Sequence, residues 1–243
     1  MPDTTRTRIG WLGPSLPTSS HLRKVERIVP ANVELVYEQL VLHDGVLNDV
    51  QGKLDAIVSR AVELTHKHRW DGLIFPGAPR EVLNPGLFAG FSSELKIPVA
   101  TALRASAAAL HTFSAKRILL LTPFDESLNN LICTFLADFG IAAASASEML
   151  RHYTDALRMT PEDVVAYARR AISEHRGVDA IYFQGAVLDP MDCLDKIELE
   201  LKVPVIASNP AMIWYMLSKL GLKNRTSGYG KLLESWPALP DNE

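Results

Sequence analysis

Residues 71–78 read Asp-Gly-Leu-Ile-Phe-Pro-Gly-Ala, and residues 179–186 read Asp-Ala-Ile-Tyr-Phe-Gln-Gly-Ala. The second copy follows the first at an offset of 108. Each is an acid, a short apolar run and a glycine turn. Two flanking stretches repeat as well. Arg8-Ile9 through Pro14 returns as Arg117-Ile118 through Pro123, and Leu95-Lys-Ile-Pro-Val-Ala returns as Leu201-Lys-Val-Pro-Val-Ile, at offsets of 109 and 106. Matching stretches in one order at a nearly constant shift mark an internal duplication. The expected halves are residues 8–115 and 116–208, with 209–243 packing back on the first.

Each half alternates strand and helix patterns. Ile9–Leu12, Val33–Val41, Leu73–Phe75 and Pro98–Thr101 are the predicted strands of the first half. Ile118–Leu121, Ile141–Ser145, Ala180–Phe183 and Val205–Ala207 are those of the second. Such short apolar runs suit strands covered on both faces. Leu128, Leu131, Ile132, Phe135 and Leu136 recur at helical spacing and predict one buried stripe. Thr160-Pro161-Glu162-Asp163 predicts a capped helix start whose core face is Val164, Val165, Ala168, Ala171 and Ile172. Residues 209–221 read as a last helix ended by Gly221, and 223–243 as irregular, with Pro237 and Pro240 extending the tail. The fold class is therefore α/β: two pseudo-symmetric, doubly wound parallel sheets with a ligand cleft between them.

Composition excludes several classes. A formal charge of −3 makes no electrostatic case for nucleic acid or an anionic membrane as partner. Residues 1–8 lack a signal-peptide core and no run is long enough to span a bilayer, so a cytoplasmic protein is expected. Two cysteines imply no disulfide framework. No His, Cys, Asp or Glu spacing reads as a metal site, and Gly10-Trp-Leu-Gly13 lacks the rest of a dinucleotide motif, so no cofactor is expected.

In open α/β sheets ligands bind beyond the carboxyl ends of strands. That selects residues 13–23, 76–82, 101–105, 122–127, 184–190 and 207–210. The same turns carry a resemblance. IGWLGPS at 9–15, DGLIFPGA at 71–78, KIPVATALRASAAAL at 96–110, KRILLLTPFDESLNNLICTFLADFGI at 116–141, VDAIYFQGAV at 178–187, VPVIASNPAMIWYML at 203–217 and GYGKLL at 228–233 resemble, in order, the aspartate/glutamate racemase superfamily. The likeness is nearest to its arylmalonate decarboxylase and maleate isomerase branches. It implies a cofactor-independent isomerase or lyase acting on a small carboxylate held between two α/β halves, and leaves a homo-oligomer open. It also implies a cysteine at the end of each equivalent strand, or in the decarboxylases at the second only. Those positions are Gly77 and Gly185 here, the hydroxyl residues after the first are Ala78 and Pro79, and the family's site tyrosine falls on Phe124. A thiol mechanism is therefore not expected. Cys133 and Cys193 lie in helical contexts and read as structural thiols.

Other residues could carry the chemistry. Glu81 and Asp189 occupy equivalent repeat positions and could serve as general acid and base, although Asp189-Pro190 also reads as a helix cap. His21, in the turn after the first strand, could be a base or a surface histidine. Arg80 and Arg104 could bind a carboxylate or simply be solvated. His66 and His68 read as a solvated pair, and Ser15, Ser106 and Ser208 lack a nucleophile elbow. The remaining expected ligand contacts are Pro14, Ser15, Gly77, Ala78, Thr122, Phe124, Gly185, Ala186 and Asn209, with backbone N–H groups of the two glycine turns holding an anion. Two readings result: an enzyme with a cysteine-independent acid–base mechanism, or a carboxylate-binding protein that keeps the cleft alone.

Overall fold

A computed structural model describes residues 6–14, 20–40, 50–146, 153–185 and 187–241; of residues 20, 21, 153 and 154 it describes the backbone only. The first sheet is formed by β1 (Thr7–Gly13), β2 (Val33–Gln39), β3 (Gly72–Phe75) and β4 (Val99–Thr101), in the order β2-β1-β3-β4 and all parallel. The second is formed by β5 (Arg117–Leu121), β6 (Ala142–Ser145), β7 (Ala180–Phe183) and β8 (Val205–Ala207), in the order β6-β5-β7-β8, again parallel. All eight predicted strands form, and the two sheets repeat one topology.

The acid that opens each repeat is structural. The Arg8 N–H donates to Asp71 Oδ2 at 2.8 Å, and the Asp71 N–H returns to the Arg8 carbonyl at 2.7 Å. In the second half Asp179 Oδ2 accepts from the N–H groups of Lys116 and Arg117, and the Asp179 N–H returns to Arg117 at 2.7 Å. Each carboxylate satisfies strand-start donors that the ladder leaves open. At Gly10 a side chain would overlap the Trp70 ring, so β1 must be bare there.

Helices α1 (Ser20–Glu26), α2 (Leu54–His68), α3 (Ala78–Val82), α4 (Leu87–Glu94) and α5 (Ala102–Thr112) belong to the first half. Helices α6 (Glu126–Asp138), α7 (Pro161–Glu174), α8 (Leu194–Leu201) and α9 (Ser208–Lys219) follow in the second, with a 3₁₀ turn over Tyr153–Arg158. Thr160 and Asp163 form the expected capping box of α7. The stripe on α6 is narrower than its spacing suggests: Leu128, Ile132 and Leu136 are buried, but Leu131 faces solvent and Phe135 is half-buried.

The central contact is α5 against α9. Ala105, Ala107, Ala108 and Ala109 are fully buried, and α9 contributes Met212, Ile213, Trp214 and Tyr215 to the same core, which takes in side chains from both sheets. One outer core lies on the far face of each sheet. The tail departs from its expected irregular form. A short helix α10 (Lys231–Ser235) packs on α9 and buries Leu232 and Leu233, and Trp214 Nε1 donates to the Pro237 carbonyl. Glu198 on α8 fastens it: one carboxylate oxygen accepts the Val205 N–H at 2.9 Å and the other the Lys231 N–H at 2.8 Å. Asp195 accepts the Gly230 N–H at 2.7 Å.

Glu198→Ala leaves the buried Val205 N–H and the part-buried Lys231 N–H without acceptors. It is expected to cost about 2–4 kcal/mol, read as a drop in unfolding free energy in urea.

Candidate functional site

The turn after β3 is built around Gly77, whose φ of 97° suits glycine alone. The helix that follows, α3, is one turn long, so its dipole is slight and the charge near this turn comes from side chains. Arg80 is buried. Its Cζ lies 4.1 Å from the Phe75 ring centroid, and its Nη2 donates to the carbonyls of Pro76 and, at 3.3 Å, Leu12. Nε and Nη1 are enclosed with no hydrogen-bond partner. Burial lowers the guanidinium pKa to about 9, and no carboxylate offsets that loss. A Cβ on Gly77 would stand 3.2 Å from Arg80 Nε, so the guanidinium occupies the space a side chain at 77 would need.

Glu81 leaves α3 on a different side. Its Oε1 accepts the Thr101 hydroxyl at 2.8 Å, and Oε2 is enclosed without a partner. Thr101 caps α5 by accepting the Arg104 N–H. Burial pushes the Glu81 carboxyl up to about 7, against the opposing pull of the Thr101 hydroxyl, the Leu103 N–H and the Arg104 charge. The cation that acts on Glu81 is thus Arg104, not its neighbour Arg80. Arg104 stacks on Phe88, with Cζ 3.9 Å from the centroid, and lies 5.3 Å from that of Phe139. From the second half, the buried Tyr182 hydroxyl donates to Gln184 Oε1 and approaches the Ala102 carbonyl at 3.5 Å. Burial raises the Tyr182 pKa, and the Glu81 charge raises it further. The start of α5 is therefore where polar groups from both halves meet.

The turn after β7 centres on Gly185, at φ 123°. A Cβ there would meet Pro123 Cδ at 2.9 Å and the Phe124 ring at 3.5 Å. Thr122 fixes that wall. Its hydroxyl donates to Asn129 Oδ1 at 2.5 Å and accepts the Phe124 N–H at 3.1 Å, while Asn129 Nδ2 donates to the Phe124 carbonyl at 3.2 Å.

The repeat pairs Glu81 with Asp189, but the structure gives them separate partners. Asp189 Oδ1 accepts the Met191 N–H at 3.1 Å and Oδ2 lies 3.3 Å from Lys24 Nζ on α1. Neither carboxyl acts on the other's titration. The helix-cap reading of Asp189 fails as well, because α8 starts only at Leu194, after Cys193. Lys24 and Arg27 also hold Asp192, at 2.7 and 2.9 Å, so this cluster ties α1 to the β7 turn.

Pro14 is exposed and its carbonyl accepts Gln39 Nε2 at 2.9 Å. Ala78 is buried at the start of α3 and Asn209 in the first turn of α9. Ser15, Ala186 and the His21 side chain lie outside the described residues. His68 pairs with Glu38 at 2.6 Å and stacks on Trp70, a surface tie rather than half of a solvated histidine pair. Burial raises both thiols, Cys193 to about 11, the opposite of an activated nucleophile. Among the described residues no three His, Cys, Asp or Glu side chains gather as metal ligands, and no helix is long and apolar enough to cross a membrane. Thr101, Asn129, Tyr182 and Gln184 join the site without having been singled out. Thr101 had a readable signal, a threonine directly before an apolar helix.

Comparison with known proteins gives a consistent picture. A family model described as arylmalonate decarboxylase matches residues 81–233. The arylmalonate decarboxylase of Bordetella bronchiseptica is 23% identical over 226 residues, 92% of this chain and 88% of that protein. A maleate isomerase of Alcaligenes faecalis is 24% identical over 143 residues, 57% of this chain and 55% of the isomerase's length. The crystal structure of the maleate isomerase Iso from Pseudomonas putida S16 matches with a TM-score of 0.78 at 18% identity, covering 95% of this chain and 99% of that one. The last likeness shows a shared fold.

Gly185→Ala forces a methyl into positive-φ backbone against a rigid proline ring. It is expected to cost about 1–3 kcal/mol, more than Gly77→Ala, whose methyl meets only a side chain. Urea denaturation of the three proteins measures the order.

Proposed function

Because this chain belongs to the arylmalonate decarboxylase family, we propose that it is a cofactor-independent isomerase or lyase acting on a small carboxylic acid by acid–base chemistry without a thiol. The observation that carries the reading is Glu81. Its carboxyl is buried, has one oxygen free, and is brought to about 7, where a proton can be taken or given at neutral pH. The resemblance puts the relatives' cysteines at Gly77 and Gly185, and both thiols present are driven toward the protonated form. Proton traffic then falls to a carboxyl.

In this reading the ligand lies between the two glycine turns. Removing a proton from the carbon beside a carboxylate, or releasing CO2 from it, leaves an electron pair on that carbon as an enolate. Glu81 takes the proton in the first case and supplies it in the second. The Arg104 charge stabilises the negative charge as it develops. Ionisable groups drawn inward from both halves favour an enzyme over a passive carboxylate binder, since a binder has no use for a carboxyl poised near neutrality.

The test is exchange at the α-carbon in D2O, together with CO2 release and cis–trans isomerisation, over a panel including phenylmalonate and maleate. Wild type is expected to turn over at least one acid, with kcat/KM changing through about pH 7. Glu81→Gln should reduce kcat by about 10²–10⁴-fold. Rates equal to buffer with every acid, or full activity in Glu81→Gln, would sink the proposal.

A second consequence needs no substrate. The folded pKa is raised from 4.5 to about 7, so neutral Glu81 favours folding below pH 4.5 and that contribution is lost as pH rises through 7. Over that range wild type should lose stability relative to Glu81→Gln, as measured by urea unfolding across pH.

A further inference from the structure

Arg80 has no place in the acid–base step. A guanidinium buried in a fold this size ordinarily meets a carboxylate, because an unpaired charge out of water is expensive. Here none does. Nη2 reaches two carbonyls, Phe75 supplies a ring face, and Nε and Nη1 keep N–H groups with no acceptor. Among the described residues no ion pair includes Arg80. Gly77, against which the guanidinium packs, has no side chain to pair with it: Nε lies 3.2 Å from the point where a Cβ would stand. The equivalent position in the second repeat is Leu188, which is buried and apolar. The charge is thus peculiar to the first turn.

We propose that Arg80 is the counter-ion site for one carboxylate of the ligand at the β3 turn, held through Arg80 Nε or Nη1. It rests on the β3 turn facing the ligand, as in the reading above, but does not need Glu81 to be the base. Arg80 selects for charge. It admits a carboxylate and rejects a neutral amide or ester of the same shape, which would leave the cation uncompensated. Without ligand the buried charge is a burden on the fold, so its loss should cost binding and not stability.

The experiment follows thermal unfolding and calorimetric binding of formate, acetate, malonate and maleate, with malonamide as the uncharged match for malonate and sodium chloride as the ionic-strength control. Wild type, Arg80→Met, Arg80→Lys and Glu81→Gln are compared. At least one carboxylate is expected to raise the wild-type Tm with concentration, while malonamide and chloride do not. Its affinity should fall at least tenfold in Arg80→Met, recover in part in Arg80→Lys and persist in Glu81→Gln. Unliganded Arg80→Met should melt at or above wild type. A shift by none of the four acids, an equal shift by chloride, or unchanged affinity in Arg80→Met overturns the assignment. So does a lower Tm in Arg80→Met with binding intact at a temperature where it is folded, since that marks a packing residue. Binding lost in Arg80→Met, with no turnover of any acid by wild type, would keep the anion site and remove the enzyme.

Discussion

The packing of α5 on α9 is the contact on which the rest of the molecule depends. A helix rich in alanine lets its neighbour approach closely, and the neighbour fills the gap with methionine, tryptophan and tyrosine. Dispersion between such surfaces is weak per atom and large in sum. The two helices are repeat equivalents, each following the last strand of its sheet. Packing them together sets the two sheets about one shared core and brings their inner turns into the same region. The groups around the start of α5 come from both halves for this reason: Glu81 and Thr101 from one, Tyr182 and Gln184 from the other.

Much of the fold was readable because its determinants are local. Short apolar runs mark most of the strands, the edge strands β2 and β6 being only partly buried, and the duplicated order of motifs marks the two sheets. The repeated Asp71 and Asp179 were visible as a pattern, but their task, holding the start of the neighbouring strand, is a pairing across 62 or 63 positions that no local signal encodes. The tail is illegible locally for a related reason. Its prolines suggest extended chain, whereas acceptors on Glu198 and Asp195, more than 30 positions away, turn it into a docked helix.

The site was legible as a set of turns and not as a set of partners. Sequence symmetry suggested that Glu81 and Asp189 share one ligand, yet Lys24 on α1 engages the second and Thr101 the first. Arg104 reads in the sequence as a carboxylate binder or a solvated charge, and in the fold it is held against the Phe88 and Phe139 rings. Burial decides the remaining differences. Arg80 and Glu81 are adjacent in sequence and look like ordinary surface charges until the fold encloses both.

Carrying both copies in one polypeptide has a further effect. A pair of identical subunits must bear every substitution twice, so a buried, uncompensated cation would weigh on both sides of the axis. Here the corresponding positions hold Arg80 and Leu188, Glu81 and Asp189, Thr101 and Ala207. Covalent fusion frees the two sides to diverge, one keeping a buried cation without a carboxylate and the other a leucine at that position beside a carboxylate paired with Lys24. A ligand with unlike ends can then be received in a single orientation, which an exact twofold site cannot do.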